Sequence, residues 1–330
     1  MPTLSAIGTA PIAKSKRTAR GNRQFDGRDR WVAFLMAGVP TILHVCLIWI
    51  PTIASILLSF TTWKGIRLGD IKWVGLKNYD QIFTAFRVNF YQALLNNTVL
   101  LIFLFLGPTA LGICFAYLLD KDIRGTRFFQ GVFFTPVVLS IAVVGIIWKS
   151  AIYSTDTGLA TQLFGHGKSV DWLGNQSFLV SIGSTYGISK NFVAILIAIA
   201  WRHTGYIMVL YLAGLKSVDS SLREAALLDG SSEWQTFRYV IFPSLKPINV
   251  VIAVITVIEA LRAFDIIYVL HTPRKTEVLS ILTTNNLLGE GGGNVGRGSA
   301  YATILFALCF GFVIWYVTNH YRKTQEGADS

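Results

Sequence analysis

Six runs of apolar residues constrain this chain more than any other feature. They cover about residues 31–60, 94–119, 128–147, 192–215, 249–270 and 299–321. Each is near or above the roughly 20 residues that a helix needs to cross the hydrocarbon of a bilayer. Within hydrocarbon a backbone must satisfy its own hydrogen bonds, and a single run of this length does so as a helix. The first run is long and contains Pro40 and Pro51, so a kink is expected there. The expected fold class is therefore all-α, a polytopic membrane protein with six transmembrane helices.

Composition supports this. Of the 330 residues, 52% are hydrophobic and 14% charged, against about 25% charged in soluble domains. The net charge of +11 does not point to a nucleic-acid partner, because the basic residues gather at the ends of apolar runs rather than on one face. Cys46, Cys114 and Cys309 lie inside apolar runs and fit no metal spacing. Residues 1–30 are polar and Arg-rich, too long and too polar for the start of a signal peptide, and are expected to form a disordered cytoplasmic tail. The transmembrane domain is placed at 31–323 and a C-terminal tail at 324–330. With the N-terminus inside, the inner segments hold the excess of Lys and Arg. Six spans then put both termini in the cytoplasm, with outer segments at 61–93, 148–191 and 271–298 and one large inner loop at 216–248.

The inner loop is the most informative segment. Ser221 with Glu224 three residues on has the spacing of a capping box. Ala225 and Ala226 are strong helix formers, and Gly230 can take the left-handed conformation that closes a helix. Ser232 with Gln235 can cap a second short helix, which Pro243 and Pro247 are expected to stop before the fifth span. A short, firmly capped cytoplasmic helix can lie in a groove of a partner protein and transmit its movement. Glu224 has two readings here: a helix cap, which needs no partner, or a contact to such a partner.

The order Glu224, Ala225, Ala226, Gly230 and Pro243 resembles the coupling-helix signature of permease subunits of binding-protein-dependent ABC importers, and Asp229 is usual in their sugar branch. Val240 and Phe242 stand where that signature favours Ile and Leu. Further likeness to the maltose-type, carbohydrate-uptake permeases runs over about residues 31–323. It is carried by Leu58-Ser59-Phe60, Val74-Gly75-Leu76-Lys77-Asn78-Tyr79, Asn97-Thr98, Asp171-Trp172-Leu173, Trp201-Arg202 and Phe264-Asp265. His271-Thr272-Pro273-Arg274-Lys275 departs from the Gly-Gly-Pro turn of many relatives. The resemblance implies a permease of the bacterial cytoplasmic (inner) membrane, working with a second permease subunit, two ATPase subunits and an extracytoplasmic solute-binding protein, and carrying a sugar or polyol. Glu224, Ala225, Ala226, Asp229, Gly230 and Pro243 are then the ATPase-coupling residues. ATP and Mg are bound by the partner ATPases. The chain itself holds no Gly-x-x-x-x-Gly-Lys-Ser/Thr loop, so it is read as a transport subunit without a cofactor or catalytic site of its own.

Polar residues within spans are functional candidates because they are costly there. Asn97, Trp201, Arg202, Glu259, Arg262 and Asp265 form the candidate solute pathway. Glu259, Arg262 and Asp265 are spaced three apart, so neighbours could pair along one helix. An internal salt-bridge cluster that holds helices together is the competing reading for these charges, and helix glue the competing one for Asn97. Gly291, Gly293 and Gly296 match Gly-x-Gly-x-x-Gly, yet lie in an outer segment without the strand and helix of a dinucleotide site; a flexible loop is expected instead. A self-sufficient secondary transporter or channel is the alternative function, and the coupling segment argues against it.

Overall fold

The computed structural model describes residues 27–65, 68–121, 124–270, 272, 275–289 and 293–326, with side chains from Trp31 to Asn319. The described residues are mostly helical and fall into two compact units, 1–53 and 54–330. In the first unit, α1 (Gly27–His44) runs through Pro40 and gives way to a π-turn over Val45–Trp49. That turn ends at Ile50, where α2 (Ile50–Leu58) begins, one residue before Pro51. Proline cannot donate and its ring crowds the carbonyl four residues back, so a wider turn just ahead of it relieves the helix. Most of the expected tail, 1–30, lies outside the described residues.

The second unit is built on two long helices. After α3 (Lys77–Phe83), α4 (Arg87–Asp120) extends the expected second span by two turns at its start. Its Pro108 leaves the Leu104 carbonyl without a backbone donor, and the Thr109 hydroxyl donates to that oxygen at 2.9 Å. The expected third span is broken. α5 (Thr126–Val138) and α6 (Ile141–Ile147), the latter extended by a π-turn over Trp148–Ile152, meet at a 104° bend. Ser140 is extended at the break, and its Oγ accepts from Val143 N to start α6. The segment that follows holds α7 (Leu159–Phe164) and an antiparallel hairpin of β1 (Phe178–Ile182) and β2 (Tyr186–Ser189). The expectation of an all-α chain is corrected by this small sheet. α8 (Lys190–Ser217) matches the fourth span.

Beyond the inner loop, which carries α9 (Ser220–Leu228), α10 (Glu233–Thr236) and α11 (Phe242–Ser244), the expected fifth span divides. α12 (Lys246–Arg262) ends at Ala263, and α13 (Asp265–Leu270) continues after the break. The outer segment 271–298 holds α14 (Leu279–Leu288), and α15 (Val295–Glu326) is the last helix. Four helices are long and apolar enough to cross a membrane among the described residues, or five if the bent α5–α6 pair is one span.

α4 and α8 pack along their length. Leu100 and Leu104 meet Phe192, Ile195 and Ile199 in one buried cluster, and Ala116 and Leu119 meet Met208, Leu212 and Leu215 in another. A methyl group on Gly112 would come within 2.7 Å of Ile207, so glycine permits this approach. At the other end, Asn78 joins the segments that carried the family likeness. Its Nδ2 donates to the carbonyls of Ser59 (2.7 Å) and Thr61 (2.8 Å), while Tyr79 Oη and Ser59 Oγ lie 2.7 Å apart. Gly296 is not in a flexible loop: it sits in the first turn of α15, its N–H donates to Trp63 O, and a Cβ there would strike the Thr61 carbonyl. Gly291 lies outside the described residues.

Candidate functional site

Local hydrogen bonds shape the inner loop. α9 starts two residues earlier than expected. Asp219, not Ser221, is its N-cap, and Asp219 Oδ1 accepts from Ser221 N at 3.0 Å. The expected Ser221–Glu224 capping box is therefore absent. The Glu224 side chain is exposed and has no hydrogen bond or ion pair to any described residue, so its carboxylate is available to a partner. The C-terminus follows the expectation. Gly230 has φ +78°, Gly230 N donates to Leu227 O, and Ser231 N to Ala226 O, which is a Schellman closure. Ser232 and Gln235 form the expected reciprocal cap at 3.4 and 2.8 Å. Pro243 and Pro247 do not stop a helix. Each lies in the first turn of the next one, α11 and α12, where a missing N–H costs nothing.

This loop is anchored to the ends of the long helices by contacts with no sequence signal. Arg223 Nη1 lies 2.7 Å from Asp120 Oδ2 at the end of α4, and its Nη2 donates to Leu215 O on α8. Lys121 Nζ lies 2.6 Å from Glu233 Oε2, and this hydrogen bond is the main cause holding the ammonium above its ordinary value. Phe237 packs on Tyr117 of α4. Ala226 is buried beneath α9, whereas Ala225, Asp229, Leu228 (88% exposed) and Trp234 (68%) face outward. Acidic and apolar side chains thus share the outward face of a rigidly capped helical hairpin.

The charges within the spans cluster between α8 and α12. Glu259 Oε1 accepts from Arg202 Nη1 at 3.0 Å, and Glu259 Oε2 lies 2.7 Å from His203 Nδ1. His203 is fully buried and reaches Thr256 Oγ1 with its other nitrogen. Arg202 Nε is buried without a partner among the described residues. The expected pairing of Glu259 with Arg262 along α12 does not occur. Glu259 pairs across to α8, and the break at Ala263–Phe264 puts Asp265 on a separate helix. All four charges nevertheless line one cleft of about 410 Å³, with Tyr206 and apolar side chains of α4 and α6. Arg262 and Asp265 are exposed.

Two expected pathway residues are elsewhere. Asn97 is buried, and its amide joins two helix ends. Nδ2 donates to Ala260 O in the last turn of α12, and Oδ1 accepts from Leu279 N at the start of α14. Both backbone groups are ones a helix cannot satisfy itself, so the Asn97 amide ties α12 to α14. Asn96 and Gln92 extend this strip to the carbonyls of Lys275, Glu277 and Gly187. Trp201 faces away from the charged cleft, packs on Trp148 at 5.9 Å, and lines a second, aromatic cavity of about 780 Å³.

Comparison with known proteins adds to this geometry. Residues 109–324 match the family described as binding-protein-dependent transport system inner membrane component. The chain is 31% identical to the xylose/arabinose import permease protein of Haloferax volcanii, over 87% of each chain. It is 32% identical to the trehalose/maltose transport system permease protein of Thermococcus litoralis, over 74% of this chain and 79% of that one. A chain of a bacterial ABC transporter that imports the acidic polysaccharide alginate superposes with a TM-score of 0.73 at 19% identity, over 89% of this chain and 96% of the other. That likeness extends to the fold.

Proposed function

We propose, from the premise that this chain belongs to the binding-protein-dependent transport system inner membrane component family and is a permease subunit of an ABC importer, that its cargo is a sugar or related polyol. The substrates named for its relatives, xylose, arabinose, trehalose and maltose, support this reading. An extracytoplasmic binding protein delivers the solute, a second permease subunit completes the pathway, and two ATPase subunits power it. In this reading the α12–α13 pair counts as one broken span and the α5–α6 pair as another. That makes six spans within 31–323 and leaves both termini in the cytoplasm of a cell bounded by this inner membrane.

The observation that carries the coupling role is the unpartnered Glu224 on α9, beside Leu228 and Trp234 on an outward face. Glu224, Ala225, Asp229 and Gly230 form the docking surface for an ATPase, with Ala226 and Pro243 fixing its shape. Closure of the ATPase pair moves α9, and the Arg223–Asp120 and Lys121–Glu233 contacts pass that movement to α4. In the cleft, Arg202, Glu259, Arg262 and Asp265 offer charged donors and acceptors to sugar hydroxyls, and such hydrogen bonds are the stronger kind. The test is uptake of labelled pentose or disaccharide by proteoliposomes holding the whole complex. Uptake should require ATP and the binding protein. Import by this chain alone, driven by an ion gradient, overturns the proposal.

A further inference from the structure

The aromatic cavity is a different kind of space from the charged cleft. One wall is a single face of α8, formed by Lys190, Val193, Ala194, Ile197 and Trp201, residues spaced three and four apart. From Lys190 to Trp201 that face runs about 16 Å at the rise of an α-helix. This is about half the ~30 Å hydrocarbon thickness, the depth of one leaflet. The opposite wall is Trp148, Tyr153, Trp172 and the α7 side chains Leu163 and Phe164. Leu163 and Phe164 are 63% and 67% exposed, and Ile197 48%, so the groove opens through apolar edges onto whatever surrounds the protein.

Its polar groups argue against a sugar. Tyr153 Oη donates to Ala194 O, and Trp172 Nε1 to Thr161 Oγ1. Only the buried Trp148 Nε1 is left unpartnered deep in the lining among the described residues. The cationic group in the lining is the exposed Lys190 at the helix start; Asp171 and Asn175 nearby already accept from Gly174 N and from Ser177. Asn175 is fixed there because its carbonyl accepts from Asn191 N. A solute rich in hydroxyls finds almost nothing to bond along the groove. A ligand with a long apolar chain and an anionic head matches both parts, because Lys at a helix end reaches the interface and the lining below it is apolar and aromatic.

We infer that this groove holds a membrane phospholipid from the leaflet opposite the coupling loop, one acyl chain lying along α8 from Lys190 to Trp201 and the phosphate beside the Lys190 ammonium. The site rests on the reading of the chain as a spanning permease, since α8 must lie across a bilayer for the groove to meet a leaflet.

The test uses the purified importer complex in nanodiscs that contain phosphatidylglycerol with a photoreactive diazirine on the acyl chain. After illumination, adducts should concentrate on peptides of α7 and the first half of α8, above those on the lipid-facing residues 305–317. Ile197→Trp fills the groove at an exposed position and should lower these adducts about tenfold, the change expected when two methylenes are displaced. Leu163→Trp serves the same end if Ile197→Trp does not fold. Lys190→Glu should lower the adducts with phosphatidylglycerol more than with phosphatidylcholine. Groove adducts no denser than those on 305–317, or unaltered by both filling variants, overturn the inference. So does a cross-link from Leu163→Cys to the second permease subunit, which would make this face a subunit contact. The same nanodiscs are assayed for ATPase activity stimulated by the sugar-loaded binding protein. Stimulated ATPase without groove adducts removes the lipid site alone, and groove adducts without stimulation remove the transport reading alone.

Discussion

The inner loop and the charged cleft are the two regions on which the proposed transport cycle rests, and they are held in shape by opposite means. From Asp219 to Leu245 the loop is fixed by bonds between residues two to five apart: the Asp219 cap, the Schellman closure at Gly230 and the Ser232–Gln235 pair. The cleft is fixed by bonds between residues more than fifty apart, Arg202 and His203 to Glu259. A region built from local bonds keeps its shape as a unit when it moves. A region built from contacts between separate helices changes shape when those helices shift. That is the division a coupled importer needs, a rigid lever at one end and a deformable site along the spans.

The largest effect should come from breaking the lever at its backbone. Gly230→Pro is incompatible with φ +78° and should abolish ATP-driven uptake while the spans remain folded by circular dichroism. No atom lies within 4 Å of the position a Cβ would take there. The defect is therefore one of backbone conformation and of the lost Gly230 N–H bond to Leu227 O, and Gly230→Asn, which keeps the N–H and tolerates the left-handed region, should keep most uptake. Equal loss in the Asn variant would mean that the glycine serves contact rather than geometry.

Next is the cleft. Glu259→Ala leaves Arg202 and the buried His203 without their anion; Arg202 and Glu259 are each about a quarter exposed, so the cost falls below the roughly 3–5 kcal/mol of a fully buried pair. The variant should lose several degrees of thermal stability in fluorescence-detected size exclusion. The double variant Arg202→Met, Glu259→Met should recover most of that stability, because apolar replacement of a whole buried pair is often neutral. If the cleft also binds solute, uptake stays low in the double variant although the fold has recovered. Recovery of both would reduce the cluster to structural glue.

These two regions also differ in how far they can be read from sequence. The end of α9 is written in Gly230 and the start of α10 in Ser232 and Gln235, because such signals act within a turn of the chain. α9 starts two residues before the position that Ser221 would set, because Asp219 and Ser221 are both good caps and only the backbone decides between them. Nothing local pairs Glu259 with Arg202 rather than with Arg262, since the i+3 spacing favours Arg262 and the break at Ala263–Phe264 carries neither glycine nor proline. Trp201 and Arg202 are neighbours that face different cavities, and on a helix only packing decides which way each turns.

The next test breaks the amide that ties the last turn of α12, beside the cleft, to α14. Asn97→Leu leaves Ala260 O and Leu279 N without partners, and buried backbone groups left unpaired cost about 1–3 kcal/mol each. Asn97→Asp keeps the acceptor for Leu279 N and, when ionised, loses the donor to Ala260 O, so it separates the two helix ends. Thermal unfolding of the complex should rank wild type above Asn97→Asp and Asn97→Leu. Unaltered stability in Asn97→Leu would return Asn97 to the solute pathway.

The smallest effect probes the lever at its start, where the cap is exposed. The Ser221 backbone N–H holds the Asp219 carboxyl below its ordinary value of 3.8. A carboxylate lowered by folding adds stability that is present above its unfolded value and is lost as pH falls through the lowered, folded one. Hydrogen exchange of the α9 amides, corrected for intrinsic rates, should therefore show protection at neutral pH that weakens as the pH is taken below about 4. Asp219→Asn still accepts from Ser221 N through its amide oxygen, so its protection should be near wild type at pH 7 and should lack the acid step. Asp219→Ala should show less protection at both pH values, while the residues around Glu259 are unaffected, because the local bonds that shape α9 do not reach the cleft. A matching loss of protection at Glu259 would mean that the lever and the site are one cooperative unit.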